Sequence, residues 1–556
     1  MKPAQNASLK IPLQATLEKA DPRLRTALIL AGVLSGLLLS ALDQTVVATA
    51  LPTIVEDLGG FAQFAWVFTT YMLAMTTSIP IAGKLSDIYG RKVTFLAGLG
   101  FFLLASILCG FANSMNQLIA FRGIQGIGAG IIMANTFTVI GDIFPPAVRG
   151  KWQGVLGAIF AIASVVGPLV GGYLTDQLNW RWVFFVNLPI GLVSATLLWV
   201  AMPPFAGAGS RRAVDYKGAA LMVAGVVPML LAFHNAGESH HWLSPQVAGW
   251  LVVAAVMLTL FVRNERKAEE PIQPPFLFRN SIFVVSAGVV FLVAGVMFGT
   301  LMFIPLFVRV NLGFTATDAG MVLTPLMLSM VATSALGGQI ISRTHRYRWL
   351  AISGLVIAAV GFFLLTRMQI NPSRSALVFN LVIIGAGLGP TFPVFMISVQ
   401  NAFPHHILGV VTGSIQFFRS VGGAVGTAVL GSFLSMRLQA HMSRLLAQHQ
   451  DISGNWQAYM GDPLAMLNGG GLSRFTHAAT GAGVSGDSLA ESSLPVLREA
   501  FRLAMHEVFL LGLAMLTVSF LICFFLKEIP LRTSNELFAK SHPPTAGQGE
   551  PGAGLA

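Results

Sequence analysis

Asp43 is the only carboxylate well inside the apolar part of a long hydrophobic run in this chain. It lies in Leu42-Asp43-Gln44-Thr45, ahead of Pro52. Burying an unpaired charge in such a run is costly, so the group must pair or hold a proton. A carboxylate whose proton affinity changes as water access switches sides is what coupling to a proton gradient requires. The plainer reading is a polar residue near the outer end of its helix, about two turns before Pro52. A second constellation, Arg122-Gly-Ile-Gln125-Gly126-Ile-Gly128, falls in another apolar run. A guanidinium stays charged and needs an anionic or carbonyl partner at membrane depth, and Asp43 is the best candidate. Proton binding would then compete with the ion pair.

Other polar residues in apolar runs leave two readings each. Glu507, beside His506, is placed about one turn into the last run. It is either an outer-rim residue solvated by a vestibule or a second titratable site. Arg419 either pairs with a backbone carbonyl or lines a substrate cavity. Gln416 and Phe417 adjoin it, and with Gln125, Met133 and Asn135 they would give the mixed amide, aromatic and thioether surface of a promiscuous cavity. Ordinary packing is the alternative for these five. His441, His449 and His477 lack compact ligand spacing, so no metal is expected. Cys109 and Cys523 each lie in an apolar run and read as small core residues rather than a disulfide framework. No cofactor is expected, protons being the coupling ion.

The elements that must position these groups are membrane helices. Of 556 residues, 54% are hydrophobic and 10% charged, where soluble domains carry roughly 25% charged residues. The apolar runs are each near the roughly 20 residues a helix needs to cross a bilayer, and they lack the alternation of a barrel wall. They number about fourteen. The fold class is therefore an all-α polytopic membrane protein, with no cleavable leader expected. The division is a tail over 1–25, six helices over 26–202, two further helices over 203–280, and six helices over 281–526. An external loop over 435–500 precedes the last helix, and a disordered tail follows over 527–556. That loop reads as mobile, with a lid or an accessory-protein dock as alternatives. With the N-terminus inside, 23 of the 34 Lys and Arg fall on the inner side and 8 outside; Arg122, Arg419 and Arg502 lie in or at the ends of helices. The positive-inside rule thus puts both termini in the cytoplasm.

A repeat runs at one offset. Gly83-Lys-Leu-Ser-Asp87-Ile-Tyr-Gly90-Arg91 lies 255 residues before Gly338-Gln-Ile-Ile-Ser-Arg-Thr-His-Arg346; Thr136-Phe137 answers to Thr391-Phe392, and Gly167 and Gly171 answer to Gly422 and Gly426. A duplicated six-helix unit around a midplane site is a transporter plan.

The loop Gly83 to Lys92 resembles the signature loop of the major facilitator superfamily, in which the resemblance gives Asp87 and Arg91 the task of latching the two halves in one state. Gly167-Pro168-Leu-Val-Gly171-Gly172 is similar to that family's antiporter motif, with Ala163 where a glycine is usual. The segment around Asp43 is similar to the motif of the fourteen-helix drug:proton antiporters, the EmrB/QacA type. The Arg122 segment and Trp180-Arg-Trp-Val-Phe-Phe-Val-Asn187-Leu-Pro-Ile-Gly191 add to the resemblance. It implies a major facilitator fold of two six-helix bundles plus two helices in the cell (inner) membrane. It also implies alternating access, with proton entry driving efflux of drugs or other amphipathic, cationic or neutral molecules. Export of one physiological solute, such as a lipid, siderophore or antibiotic, is the alternative.

Other classes fare worse. The net charge of +11 is spread over short loops, so nucleic-acid binding is not indicated. No nucleophile and base converge at one depth, so the chain is not expected to be an enzyme. Gly83-Lys84-Leu85 and Gly150-Lys151-Trp152 lack the Ser or Thr that follows the lysine of a phosphate loop. The partners expected are a small-molecule substrate and the lipid bilayer.

Overall fold

A computed structural model describes residues 21–58, 63–203, 214–239, 244–312, 322–368, 374–448 and 486–532. Long helices dominate them: α1 (Pro22–Leu58), α2 (Phe64–Tyr89), α3 (Arg91–Gly110), α4 (Met115–Ile143), α5 (Pro146–Gln177), α6 (Trp182–Ala201), α7 (Tyr216–Ser239) and α8 (Pro245–Glu265). After a short 3-10 turn at Pro275–Arg279 come α9 (Ser281–Leu312), α10 (Thr324–Thr344), α11 (Arg348–Thr366), α12 (Arg374–Ala402), α13 (Leu408–Gln448) and α14 (Gly486–Cys523). Thirteen are long and apolar enough to cross a membrane. The remaining helix, α2, is 26 residues long, comparable with its neighbours. Helices satisfy every backbone polar group within one segment, which lipid demands.

The two halves pack alike. α1 lies against α4, α5 and α6, while α2 and α3 lie against α4; α9 lies against α12, α13 and α14, while α10 and α11 lie against α12. The repeat explains how. A Cβ on Gly167 would run into Thr45 of α1, and one on Gly171 into Thr49 and Val46. Their counterparts Gly422 and Gly426 meet Phe291 and Gly295 of α9 in the same way. Without a hydrophobic driving force between helices in lipid, such close approach supplies the packing. The turn after α2 needs a positive φ at Gly90 (89°), and its counterpart His345 adopts a φ of 55° at the end of α10.

The halves meet along two symmetric seams. Gly83 of α2 abuts the Gly409 carbonyl of α13, and Gly150 of α5 abuts Gly338 of α10. Both seams lie towards the face where α1 begins and α14 ends, termed here the terminal face. α7 and α8 form a hairpin, with α7 against α13 and α2.

Three boundaries differ from the sequence reading. α1 starts at Pro22 and runs through Pro52 to Leu58, so the motif around Asp43 does not close the helix. The segment 435–500 is largely helical where described: α13 continues to Gln448 and α14 begins at Gly486. Its polar composition concealed a stripe, Leu434, Leu438 and Met442, that is buried where α13 packs against α14. Residues 449–485, with His449 and His477, lie outside the described residues, as do 1–20. The C-terminal tail begins as a packed strap rather than a disordered one. Tyr347 Oη donates to Lys527 O (3.0 Å) and accepts from Ile529 N, while Asn401 bonds Pro530 O and Arg532 N. Residues 533–556 lie outside the described residues.

Candidate functional site

Asp43 and Arg122 form a fully buried ion pair, Nη1 to Oδ2 2.5 Å. α1 and α4 bring them together from 79 residues apart. Gln125 Nε2 and Asn187 Nδ2 each donate to Asp43 Oδ1 at 2.8 Å. Both amides also reach Ser106 Oγ on α3, which itself donates to Phe184 O. Asn187 can reach in because α6 breaks at Val186, between Trp182–Phe185 and Asn187–Ala201. Arg122 lies over the Tyr71 ring, Cζ 4.2 Å from its centroid. Arg122 Nε and Nη2 and the Tyr71 hydroxyl find no partner among the described residues. The carboxylate thus accepts from three donors, one of them charged. Removing one partner of such a pair costs about 3–5 kcal/mol, because the other charge stays buried alone.

The antiporter-like motif braces this site. Thr45, two residues after Asp43, donates to Ala163 O of α5 (2.9 Å), beside the Gly167 and Gly171 contacts. Pro168, inside α5, faces outward, and Gly172 meets open space instead of a neighbouring helix.

At the terminal face the loop motif ties the halves together. Asp87 accepts from the backbone N–H of Gly409 (3.0 Å) and Val410 (2.9 Å) at the start of α13. Arg91 pairs with Asp87 (2.5 Å) and with Asp142 of α4 (2.7 Å). Asp142 also faces His405 of the other half at 3.3 Å. Lys92 instead caps Trp199 O of α6 (2.5 Å). Arg149 bonds Gly141 O and Phe144 O and reaches across to Gln400 Oε1. A carboxylate on the first N–H groups of a helix is favoured by their unpaired hydrogens and by the helix dipole.

A central cavity lies midway between the faces, among α4, α5, α9, α10, α12 and α13. Phe137 and its repeat counterpart Phe392 meet edge to face there, 5.7 Å between centroids. Arg419 lines it, half-buried, with its guanidinium 4.2 Å from the Phe392 ring centroid. The other residues proposed for a cavity surface do not line this one. Gln125 belongs to the Asp43 network. Asn135 is spent on Ser86 and Ile131, and Met133 is buried in the core. Phe417 packs with Met222 and Val226 of α7. Gln416 is buried outside the cavity wall, its amide without a partner among the described residues.

The chain matches the family model of the Major Facilitator Superfamily over residues 33–427. It belongs to that family. It is 36% identical over 523 residues to the Multidrug transporter protein MdtP of Bacillus subtilis, covering 94% of this chain and 96% of the relative. It is 35% identical over 518 residues to the Multidrug resistance protein 3 of the same organism, covering 93% and 98%. The fold matches the solved proton:xylose symporter XylE at a TM-score of 0.56, covering 93% of this chain and 98% of that one at 13% identity. The protein is thus a multi-pass major facilitator transporter of the drug-transporter kind, not an enzyme.

In this major facilitator chain Glu507 lies deep along α14, not one turn in, because the helix starts at Gly486. It pairs with Arg437 (2.7 Å) and faces His441 (3.1 Å), both from the extension of α13. At the same end Asp57 accepts from Trp180 Nε1 (2.8 Å) and Arg181 (3.1 Å), pinning α1 to the start of α6. These bonds, Trp180 first, hold the Asp57 carboxyl below its usual range. Sequence reasoning missed Asp142, Arg149, Gln400, His405 and Gln153. Phe137 and Phe392 had been seen only as a mark of the repeat.

Proposed function

We propose that the protein is a fourteen-helix drug:proton antiporter that exports amphipathic small molecules across the cell membrane by alternating access. The observation that carries this reading is the buried Asp43–Arg122 pair, a titratable group sealed in one bundle with its charge satisfied. Protonating Asp43 removes the countercharge of Arg122, so the pair and the proton compete for one carboxylate. None of the Asp43 partners lines the central cavity. Proton and cargo therefore exclude each other through the conformational cycle, with α4 carrying both Arg122 and the cavity residue Phe137.

With both termini in the cytoplasm, the terminal face is the inner face, and the seams there close the cargo path on the inner side. Protons then enter from outside as cargo leaves. The multidrug names of the relatives agree with an export direction. The test is a pH gradient across proteoliposomes holding the purified protein, with several amphipathic compounds offered in turn. Gradient-driven accumulation of at least one supports the reading; a gradient that moves none of them refutes it.

A further inference from the structure

The central cavity carries a charge that no described residue balances. Arg419 is the charged residue among those lining it, and the lining includes no Asp or Glu. Among the described residues Arg419 has no ion pair and no hydrogen bond. Its contact is the face of Phe392, 4.2 Å away. That cation–π contact recovers only a part of the hydration the guanidinium gives up on leaving water. The contrast with the rest of the protein is instructive: Arg91, Arg122 and Arg149 are buried and each bonds a carboxylate or several oxygens. Unused donors accompany Arg419. Gln153 lines the same cavity with both amide atoms buried and without partners, and Gln416, one turn before Arg419 on α13, has the same shortage. Apart from the hydroxyl residues Ser334 and Thr391, the remaining wall is apolar and thioether, including Phe137, Phe392, Met297 and Met330.

We propose that the preferred cargo is an amphipathic monocarboxylate, with its acid group in the Arg419 fork and its apolar body against the Phe and Met wall. A planar guanidinium matches a carboxylate bidentately, and a Gln153 N–H completes the acceptor sites. A cationic amphiphile meets like charge with no acidic side chain to relieve it. The cargo expected from the sequence resemblance was cationic or neutral, and the cavity reverses that sign. This inference rests on the export reading above.

It also sets how the charge moved per cycle differs between cargoes. At any proton stoichiometry, export of the carboxylate moves one more unit of charge than export of its neutral amide, and two more than export of the matching amine. A membrane potential negative on the cytoplasmic side therefore stimulates carboxylate export most.

The test uses three probes with one aryl-alkyl body and a carboxylate, primary amide or primary amine head, in proteoliposomes with a pH gradient, with and without an imposed potential. The expected result is a carboxylate preference over the amide of about tenfold or more in apparent affinity. That ratio falls towards one in Arg419→Gln and is partly kept in Arg419→Lys. Because it is a ratio, it does not depend on how much variant is folded, and the wild-type series stands without any variant. Gradient-driven transport of the amine or amide as good as that of the carboxylate, or a ratio unmoved in Arg419→Gln, overturns the inference while export stands. A gradient that drives none of the three in wild type overturns both.

Discussion

Replacing Asp87 by asparagine should open the terminal face. The Asp87 carboxylate is 4% exposed and receives two N–H bonds from the first residues of α13, across the seam between halves. Hydrogen bonds to a charged group contribute about 1.5–3 kcal/mol each. Asparagine keeps one acceptor oxygen but turns an NH₂ towards N–H groups, so about 2–3 kcal/mol of closed-state preference is lost. That is a shift of about 30- to 150-fold in the population ratio. Arg91 keeps Asp142 as a partner, so the local fold survives. Spin labels at Lys151 and Arg343, exposed residues near the second seam, report the separation of α5 and α10. The native cysteines, both buried, stay in place. A long-distance population should appear in Asp87→Asn that is minor in the wild type. Gly83→Val, whose added carbons collide with the Gly409 carbonyl, should produce the same population with no change of charge. An unchanged single short distance in both well-folded variants would refute the latch.

Gly167→Leu should part α5 from α1 beside Thr45 and destabilise by about 1–3 kcal/mol or more through overpacking, read as a lower melting temperature in detergent. Tyr347→Phe removes the hydroxyl that holds Lys527 O and Ile529 N, so tryptic cleavage at Lys527 should speed up severalfold while transport continues; unchanged cleavage would contradict the strap. Asp57 stabilises the folded state through a lowered carboxyl pKa. Its contribution is present above the ordinary carboxylate range and is lost as pH falls through the lowered value. Asp57→Asn should therefore flatten the acid side of the melting-temperature profile, and an unaltered acid slope would count against it.

Much of this was legible because membrane burial makes charge expensive. Asp43 and Arg122 had few other partners to choose, and the 255-residue repeat assigned the same packing to Gly167 and Gly422. The cavity surface was not legible, for a reason rooted in composition. Every face of these helices is largely apolar, so periodicity does not separate the wall of a cavity from a seam between helices. Met133, Asn135 and Phe417 were equally plausible by type and all pack elsewhere, while Gln153 gave no signal. The helical continuation of α13 had a visible cue, the four-residue spacing of Leu434, Leu438 and Met442, overshadowed by the charges between them. The Asp142–His405 approach depended on the end of α4 meeting the turn before α13 across the halves, which no local pattern encodes.

The most direct test of the account is gradient-driven efflux by Asp43→Asn, with the charge-neutral Asp43→Asn/Arg122→Gln double variant as the control for an orphaned guanidinium. Reconstituted in proteoliposomes, both should lose cargo accumulation driven by a pH gradient and keep exchange of labelled for unlabelled cargo at equal pH. Accumulation at the wild-type level in either folded variant would contradict the assignment of proton coupling to Asp43.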